Sequence, residues 1–146
     1  MDNRPFNSKY DVLKLENQLC FPLYACSRET IKLYKPFLDE LDLTYTQYIA
    51  MMVLWEKKSV SVKELGNALF LDSGTLTPLL KKMEAKGLIT RQRSLEDERS
   101  LIVGLTEAGA QLRERALDIP GKMLRCCRLN PDEAKELYRL LYKLLR

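Results

Sequence analysis

The chain has 146 residues, of which 46% are hydrophobic and 30% charged, and its formal net charge is +4. A chain of this length and composition can bury a real core and is not a disordered protein, so we expect one folded domain over residues 1–146. Its apolar runs all fall short of the roughly 20 residues that a bilayer span needs, and its first residues lack the apolar core of a secretory signal. We therefore expect a cytoplasmic protein with no membrane partner.

Four cysteines and no histidine limit the chemistry further. Without histidine there can be no Ser-His or Cys-His catalytic pair and no Cys/His zinc site. Cys20 and Cys26 are six residues apart, Cys126 and Cys127 are adjacent, and no CxxC pattern occurs. A disulfide framework is not expected in a cytosolic chain of this kind. We expect free thiols, no metal, no cofactor and no enzyme activity.

The first predicted element is a long helix from Tyr10 to about Tyr34, with apolar residues spread over a broad face. Pro22 lies inside it and predicts a kink near residues 18–22, because proline lacks the backbone donor. Pro36 is expected to end this helix.

Three shorter helices follow, each with a predicted start signal. Thr44 caps the first, which runs to about residue 57, and Ser61 caps the second, with Glu64 completing a capping box. Ser73 is expected to cap the third, and Gly87 is a plausible stop after it.

Two β-runs come next, Ile89–Arg93 and Arg99–Leu105, joined by an acidic turn. Thr106 then starts a second long helix, and Pro131 opens a last helix that runs to Arg146. The predicted fold is mainly α with a small β-wing, six helices in all.

The order helix, turn, helix and basic hairpin predicts a winged helix-turn-helix over residues 44–105, a module that places one helix in the DNA major groove. The segment from Ser73 to Arg93 holds five basic residues and one acidic residue. Such a local positive field suits contact with phosphates, although a solvated helix face would also explain it. Long apolar-faced helices at 10–35 and 106–146 flank this module, and a second copy could bury them, so we expect a homodimer.

Two stretches of this DNA-binding module, residues 71–81 and 93–99, resemble the recognition helix and wing of MarR-family repressors. Residues 15–24 (Leu-Glu-Asn-Gln-Leu-Cys-Phe-Pro-Leu-Tyr) and 43–48 resemble the organic hydroperoxide resistance branch of that family. The likeness covers about residues 12–121. It implies a dimeric repressor on double-stranded, inverted-repeat operator DNA, released when organic hydroperoxide oxidises Cys20. Thr46 replaces the proline usual in the family, and we expect no functional change from it.

The resemblance also implies roles for other residues of the sensor. Tyr24 and Tyr34 match the tyrosines that hydrogen-bond the reactive sulfur. Tyr24 lies one helical turn from Cys20, whereas the Tyr34 hydroxyl is expected to come from the partner subunit. Cys126 or Cys127 lies where some members carry a second cysteine that forms an intersubunit disulfide, and the sequence leaves the choice open. A structural role for Cys20 and core packing for the tyrosines are the competing interpretations.

The predicted DNA contacts lie on the third helix and the wing. The first half of the helix is expected to reach base edges, two lysines to reach phosphates, and wing arginines to reach the minor groove or backbone, with an aspartate orienting one of them. These residues are Ser73, Gly74, Thr75, Thr77, Pro78, Lys81, Lys82, Arg91, Arg93, Asp97 and Arg99.

Two other functions compete with a redox-sensing repressor. A thiol peroxidase would explain Cys20 but would leave the DNA-binding module without a role. A repressor gated by a phenolic or other small molecule would make Cys20 a packing residue. A metal sensor is disfavoured because histidine is absent.

Overall fold

A computed structural model describes residues 8–93 and 100–145 of the chain. The α-helices in these ranges are α1 (Cys20–Asp39), α2 (Tyr45–Lys57), α3 (Val62–Leu69), α4 (Ser73–Ala85), α5 (Glu107–Ala116), α6 (Ile119–Cys126) and α7 (Pro131–Leu144). Two short 3-10 turns, Asp11–Leu13 and Leu15–Asn17, precede α1. The strands are β1 (Ser59–Ser61), β2 (Ile89–Arg93) and β3 (Leu101–Leu105).

The sheet is antiparallel, with the order β1-β3-β2. The predicted hairpin is confirmed as β2 and β3, in a register that pairs Arg91 with Val103, although β3 starts two residues later than expected, at Leu101. On the other side of β3, Val60 of β1 also pairs with Val103. The sequence missed β1, because three residues with a single buried side chain are too short to show strand alternation. This strand ties the base of the wing to the loop between α2 and α3.

The prediction for α1 was wrong at both ends. The helix starts at Cys20, so Pro22 lies in the first turn, where backbone donors have no partner within the helix and proline is tolerated. Pro36 does not end the helix, which continues to Asp39. Leu38 is buried in the core and Phe37 packs against it, and this packing offsets the hydrogen bond that Pro36 cannot make.

The second long helix is interrupted where α5 gives way to α6, at Leu117 and Asp118. Pro120 has no N–H to bond the carbonyl of Ala116, which explains the interruption. Both intervening residues keep right-handed helical dihedral angles, so α5 and α6 continue one another as the single helix that the sequence predicts. Counted this way, the described residues hold the six predicted helices and the wing.

The core lies in the winged helix-turn-helix part of the molecule. Its largest fully buried side chains are Met51, Leu54, Leu65, Leu76, Leu80, Met83, Ile89 and Val103. By contrast, α7 buries none of its residues and α1 buries only Leu38, so their apolar side chains are largely exposed. Among the helices of the described ranges, none is long and apolar enough to cross a membrane.

Candidate DNA-binding face and thiol site

The start of α4 is fixed by Asp72. Its carboxylate accepts the backbone N–H of Thr75 at 2.9 Å and the Thr75 hydroxyl at 3.0 Å. These bonds hold the pKa of Asp72 below its ordinary value. The expectation that Ser73 caps this helix was wrong, because Asp72 has the extended backbone of a cap and Ser73 is already the first helical residue. Gly87, with a φ of 71°, follows the last turn as expected.

One face of α4 is exposed and the other is part of the core. The buried face consists of Leu76, Leu80 and Met83. All the residues of this helix that are predicted from the sequence to contact DNA are exposed: Ser73, Gly74, Thr75, Thr77, Pro78, Lys81 and Lys82. The structure therefore places these residues together on one accessible surface of a helix, the element that a major groove admits.

Two hydroxyls on this face, those of Thr75 and Thr77, are held by hydrogen bonds within α4 and its cap. Thr75 donates to Asp72, and Thr77 donates to the carbonyl of Ser73 at 2.8 Å. Each hydroxyl keeps free lone pairs, because a hydroxyl carries one donor and two acceptor positions. Thr75 and Thr77 can therefore accept hydrogen bonds from exocyclic amino groups of bases without disturbing α4.

The basic residues of this region fall into two groups. Within the described residues, Lys81 and Lys82 are exposed and form no ion pair. Lys86 instead donates to the carbonyl of Asp42 and lies 2.9 Å from the Asp42 carboxylate. The lysines most available for phosphates are therefore Lys81 and Lys82.

Arg91 is held by Glu84. Its Nη2 and Nε atoms donate to one carboxylate oxygen of Glu84 at 2.5 Å and 2.9 Å, and its backbone N–H donates to the other at 3.2 Å. Arg91 in turn lowers the pKa of Glu84. This ion pair joins α4 to β2, which suits positioning of the wing better than contact with DNA. Arg93 is exposed at the end of β2, and Asp97 and Arg99 lie outside the described residues.

Cys20 is the first residue of α1 and is exposed. The amino end of a helix carries a partial positive charge, and α1 has no acidic residue in its first turn. Cys26, Cys126 and Cys127 are also exposed free thiols. Cys126 ends α6 and Cys127 follows it.

The two candidate tyrosines have different surroundings. Tyr24 is 58% exposed, and its hydroxyl accepts a hydrogen bond from Nη1 of Arg28 at 2.9 Å. Tyr34 is half-buried, with its ring centroid 5.0 Å from that of Tyr45, and burial raises the pKa of Tyr34. Tyr34 lies fourteen residues after Cys20 on the same helix, a rise of about 21 Å along the axis. Tyr34 therefore cannot reach Cys20 of its own chain.

Besides the Arg91–Glu84 pair, sequence reasoning missed two further interactions near these sites. Lys86 and Asp42 are 44 residues apart in the chain, and no local sequence pattern predicts their pairing. Arg28 lies four residues after Tyr24, a spacing that brings side chains together on a helix and could have been noticed.

An exposed recognition helix, its capped turn and a β-wing define a winged-helix DNA-binding regulator. Residues 32–115 match the family model described as transcriptional regulator SarA/Rot. The organic hydroperoxide resistance transcriptional regulator of Bacillus subtilis is 56% identical over 138 residues, 94% of each chain. This chain therefore belongs to the SarA/Rot family of winged-helix regulators, in the organic hydroperoxide resistance branch, which confirms the resemblance and the fold class predicted from the sequence.

Two solved structures of AbfR, a Staphylococcus epidermidis protein, add a comparison of states. Reduced AbfR bound to DNA is 36% identical, with a TM-score of 0.77, and the match covers 94% of this chain and 96% of that one. Disulfide-formed AbfR is 35% identical, with a TM-score of 0.65, over 94% of this chain and 97% of that one. By TM-score, this chain is closer to the DNA-bound AbfR structure than to the disulfide-formed one.

Proposed function

We propose that this protein is a redox-sensing transcriptional repressor that releases its operator when an organic hydroperoxide oxidises Cys20. The observation that carries the proposal is the exposed Cys20 thiol at the amino end of α1, in a chain 56% identical to an organic hydroperoxide resistance regulator. The other end of α1 is anchored in the core of the DNA-binding module through Leu38. A change at Cys20 can therefore be transmitted through one helix. We place this activity in the cytoplasm and assign the protein no catalytic turnover.

The working form is a homodimer built from the terminal helices. The exposed apolar side chains on α1 and α7 include Phe21, Ile31, Leu33, Leu137 and Leu140. Burying them against a second copy would stabilise a dimer at roughly 25 cal/mol per Å² of apolar surface. Twofold symmetry would also place two α4 helices in successive major grooves, about 34 Å apart, which matches an inverted-repeat operator.

On the operator, the amino-terminal half of α4 reads base edges through Ser73, Gly74, Thr75, Thr77 and Pro78. Lys81 and Lys82 neutralise phosphates, because they are exposed and lack an ion-pair partner within the described residues. Arg93 and Arg99 contact the backbone or minor groove from the wing, with Asp97 orienting Arg99. We assign Arg91 to positioning of the wing, since Glu84 occupies its guanidinium.

The chemistry at Cys20 begins with its thiolate. The sulfur attacks the distal peroxide oxygen, an S–O bond forms as the O–O bond breaks, and the alkoxide leaves and takes up a proton to become an alcohol. The peroxide is reduced, and Cys20 becomes a sulfenic acid. Cys126 or Cys127 of the second copy then attacks the oxidised sulfur, forming a disulfide and releasing water. Tyr24 and Tyr34 hydrogen-bond the reactive sulfur, Tyr34 from the second copy.

Disulfide formation, rather than oxidation of Cys20 alone, is the proposed release step. Support comes from AbfR, which has been solved bound to DNA in an overoxidised form as well as in the reduced form, so oxidation of that protein is compatible with DNA binding. A disulfide between copies would pull α1 and α6 toward a new arrangement and change the spacing of the two recognition helices.

A gel shift on inverted-repeat operator DNA tests the proposal, before and after one equivalent of cumene hydroperoxide. Wild type should release DNA and form a crosslinked dimer on a non-reducing gel, and Cys20→Ser should do neither. Cys26→Ser is the matched control, another exposed thiol on α1, and should behave as wild type. Normal release by Cys20→Ser would refute the sensing role and favour a ligand-gated repressor, whereas oxidation without a crosslink would refute the disulfide step.

A further inference from the structure

Arg28, on the helix that carries Cys20, makes a contact with Tyr24 that the function above does not use. Its Nη1 donates to the Tyr24 hydroxyl at 2.9 Å, and its guanidinium carbon lies 5.5 Å from the centre of the Tyr24 ring. In the described ranges 8–93 and 100–145, Arg28 has no carboxylate partner. Other cations of α1 do: Lys32 pairs with Glu29 at 2.6 Å, and Lys35 pairs with Asp39 at 2.6 Å. Among the described residues, the guanidinium of Arg28 is therefore paired with Tyr24 and with no carboxylate.

The positions of Cys20, Tyr24 and Arg28 in the chain place the Arg28–Tyr24 contact in line with the thiol. Cys20, Tyr24 and Arg28 follow one another at intervals of four residues, so they form a column on one face of α1, with a rise of about 6 Å at each step. Tyr24 stands between the other two. Among the described residues the Tyr24 hydroxyl is bonded to Arg28 and not to Cys20, so a hydrogen bond from Tyr24 to the sulfur belongs to the proposed function.

A phenol has one proton to donate, and its oxygen can accept. When the Tyr24 oxygen accepts from Arg28, the hydroxyl proton is left for another acceptor. A hydroxyl that accepts from a cation also becomes a stronger donor, because hydrogen bonds in a chain polarise one another. Arg28 thus orients Tyr24 and strengthens it as a donor to a thiolate.

We propose that Arg28 is a positioning residue of the peroxide sensor, which acts through the Tyr24 hydroxyl to stabilise the Cys20 thiolate and speed its oxidation. This inference rests on the proposed function, since it assumes that Tyr24 serves Cys20. Arg28 touches neither the sulfur nor the peroxide. The effect should be strongest in the dimer, because a second copy covering the apolar face of α1 would exclude water from the contact.

The ordinary alternative is that Tyr24 and Arg28 form a helix-stabilising pair of side chains four residues apart. Such a pair would affect stability but not the reaction of Cys20, so the rate of sulfenic acid formation distinguishes the two roles. The full-length protein would carry Cys126→Ser and Cys127→Ser, so that the Cys20 sulfenic acid persists. It would be mixed with cumene hydroperoxide, trapped with dimedone at successive times, and the adduct at Cys20 quantified by mass spectrometry.

Arg28→Ala should slow sulfenic acid formation roughly three- to tenfold, because the Tyr24 hydroxyl loses the charge-assisted hydrogen bond that orients and polarises it. Arg28→Lys should restore most of the rate, because it keeps a cationic donor four residues from Tyr24. Lys32→Ala, which removes the same charge from the same helix, should react like the parent protein. All variants should bind operator DNA normally when reduced.

The decisive measurement is the double variant. Tyr24→Phe should slow the reaction, and adding Arg28→Ala to it should slow it no further, because the route through the hydroxyl is already gone. An unchanged rate in Arg28→Ala would overturn the inference, and so would an equal slowing in the Tyr24→Phe background, which would indicate a general charge effect. Failure of the proposed function gives a different result, in which the parent protein forms no adduct at Cys20.

Discussion

Replacement of Lys81 by alanine tests whether the exposed face of α4 lies on DNA phosphates. Lys81 is exposed and unpaired within the described residues, so its charge is available to displace counterions from DNA. Each phosphate contact contributes about 0.9 to the slope of log affinity against log salt concentration. A dimer presents Lys81 twice, so Lys81→Ala should reduce the slope by about 1.8.

Across a fourfold change of salt, from about 50 to 200 mM, that difference amounts to about twelvefold in relative affinity. Fluorescence anisotropy of labelled operator, titrated at several salt concentrations, measures it directly. A random duplex should show the same loss of slope, because phosphate contacts carry no sequence information.

Lys86 provides the matched control. It directly follows the helix that carries Lys81, but its ammonium is occupied by the carbonyl and carboxylate of Asp42. Lys86→Ala should therefore leave the salt slope close to that of wild type. An unchanged slope in Lys81→Ala, or an equal loss in Lys86→Ala, would refute the division of these lysines into free and occupied groups.

Three further predictions concern the scaffold. Gly66→Ala should destabilise the fold by about 1–2 kcal/mol in urea unfolding, because the new Cβ would lie 2.8 Å from the carbonyl oxygen of Leu71. Gly121→Ala is the control and should not destabilise, because a Cβ there meets nothing within 4 Å. Trp55→Phe should cost about 1–3 kcal/mol in the same assay, since it removes a buried 2.9 Å hydrogen bond to a carbonyl of α5, and an unchanged midpoint would contradict this. Asp72 has a lowered pKa, so its stabilising effect is complete above the ordinary value of 3.8 and is lost as the pH falls through the pKa of the folded state. Asp72→Asn should therefore flatten the acid side of a plot of thermal stability against pH, and an unaltered plot would argue against this role.

The helices of the DNA-binding module could be predicted from the sequence because local signals agree there with the tertiary structure. Thr44 and Ser61 both cap as expected, each within a capping box, and Gly87 stops α4 at a positive φ. Apolar residues at helical spacing correctly identified the buried face of α4. The error at Ser73 was one residue, because Asp72 and Ser73 are both good caps and only the backbone angles decide between them.

Proline was the main source of error, since its effect depends on where the hydrogen-bond ladder of a helix begins. Pro22 is harmless in the first turn of α1, Pro36 is tolerated near its packed end, and Pro120 coincides with the interruption between α5 and α6. All three prolines lack a backbone N–H in the same way. Without the start of each helix, the sequence could not distinguish these outcomes.

The residues of the candidate site could be predicted from the sequence, but their interaction partners could not. Residues on α4 share an exposed face because helical periodicity fixes it. The pairing of Arg91 with Glu84, or of Lys86 with Asp42, depends on how α4 packs against other elements, which no local pattern encodes. Tyr34 and Cys20 are likewise too far apart on one helix to meet, so their relation depends on a second copy.

Transmission from Cys20 to DNA, in the proposed function, can pass through the carboxyl end of α1. A near-complete switch needs about 5 kcal/mol of differential affinity. The Lys86–Asp42 contact links the corner after α1 to the end of α4, but an ion pair with an Asp42 side chain 89% exposed contributes little on its own. The same corner also buries Leu38, Leu41 and Leu43 in the core. Burial of each leucine is worth about 1.5–3 kcal/mol, so displacing the corner would cost as much as the switch requires. The corner should therefore move with the DNA-binding module as a rigid unit, and displacement of α1 would shift the two α4 helices relative to each other.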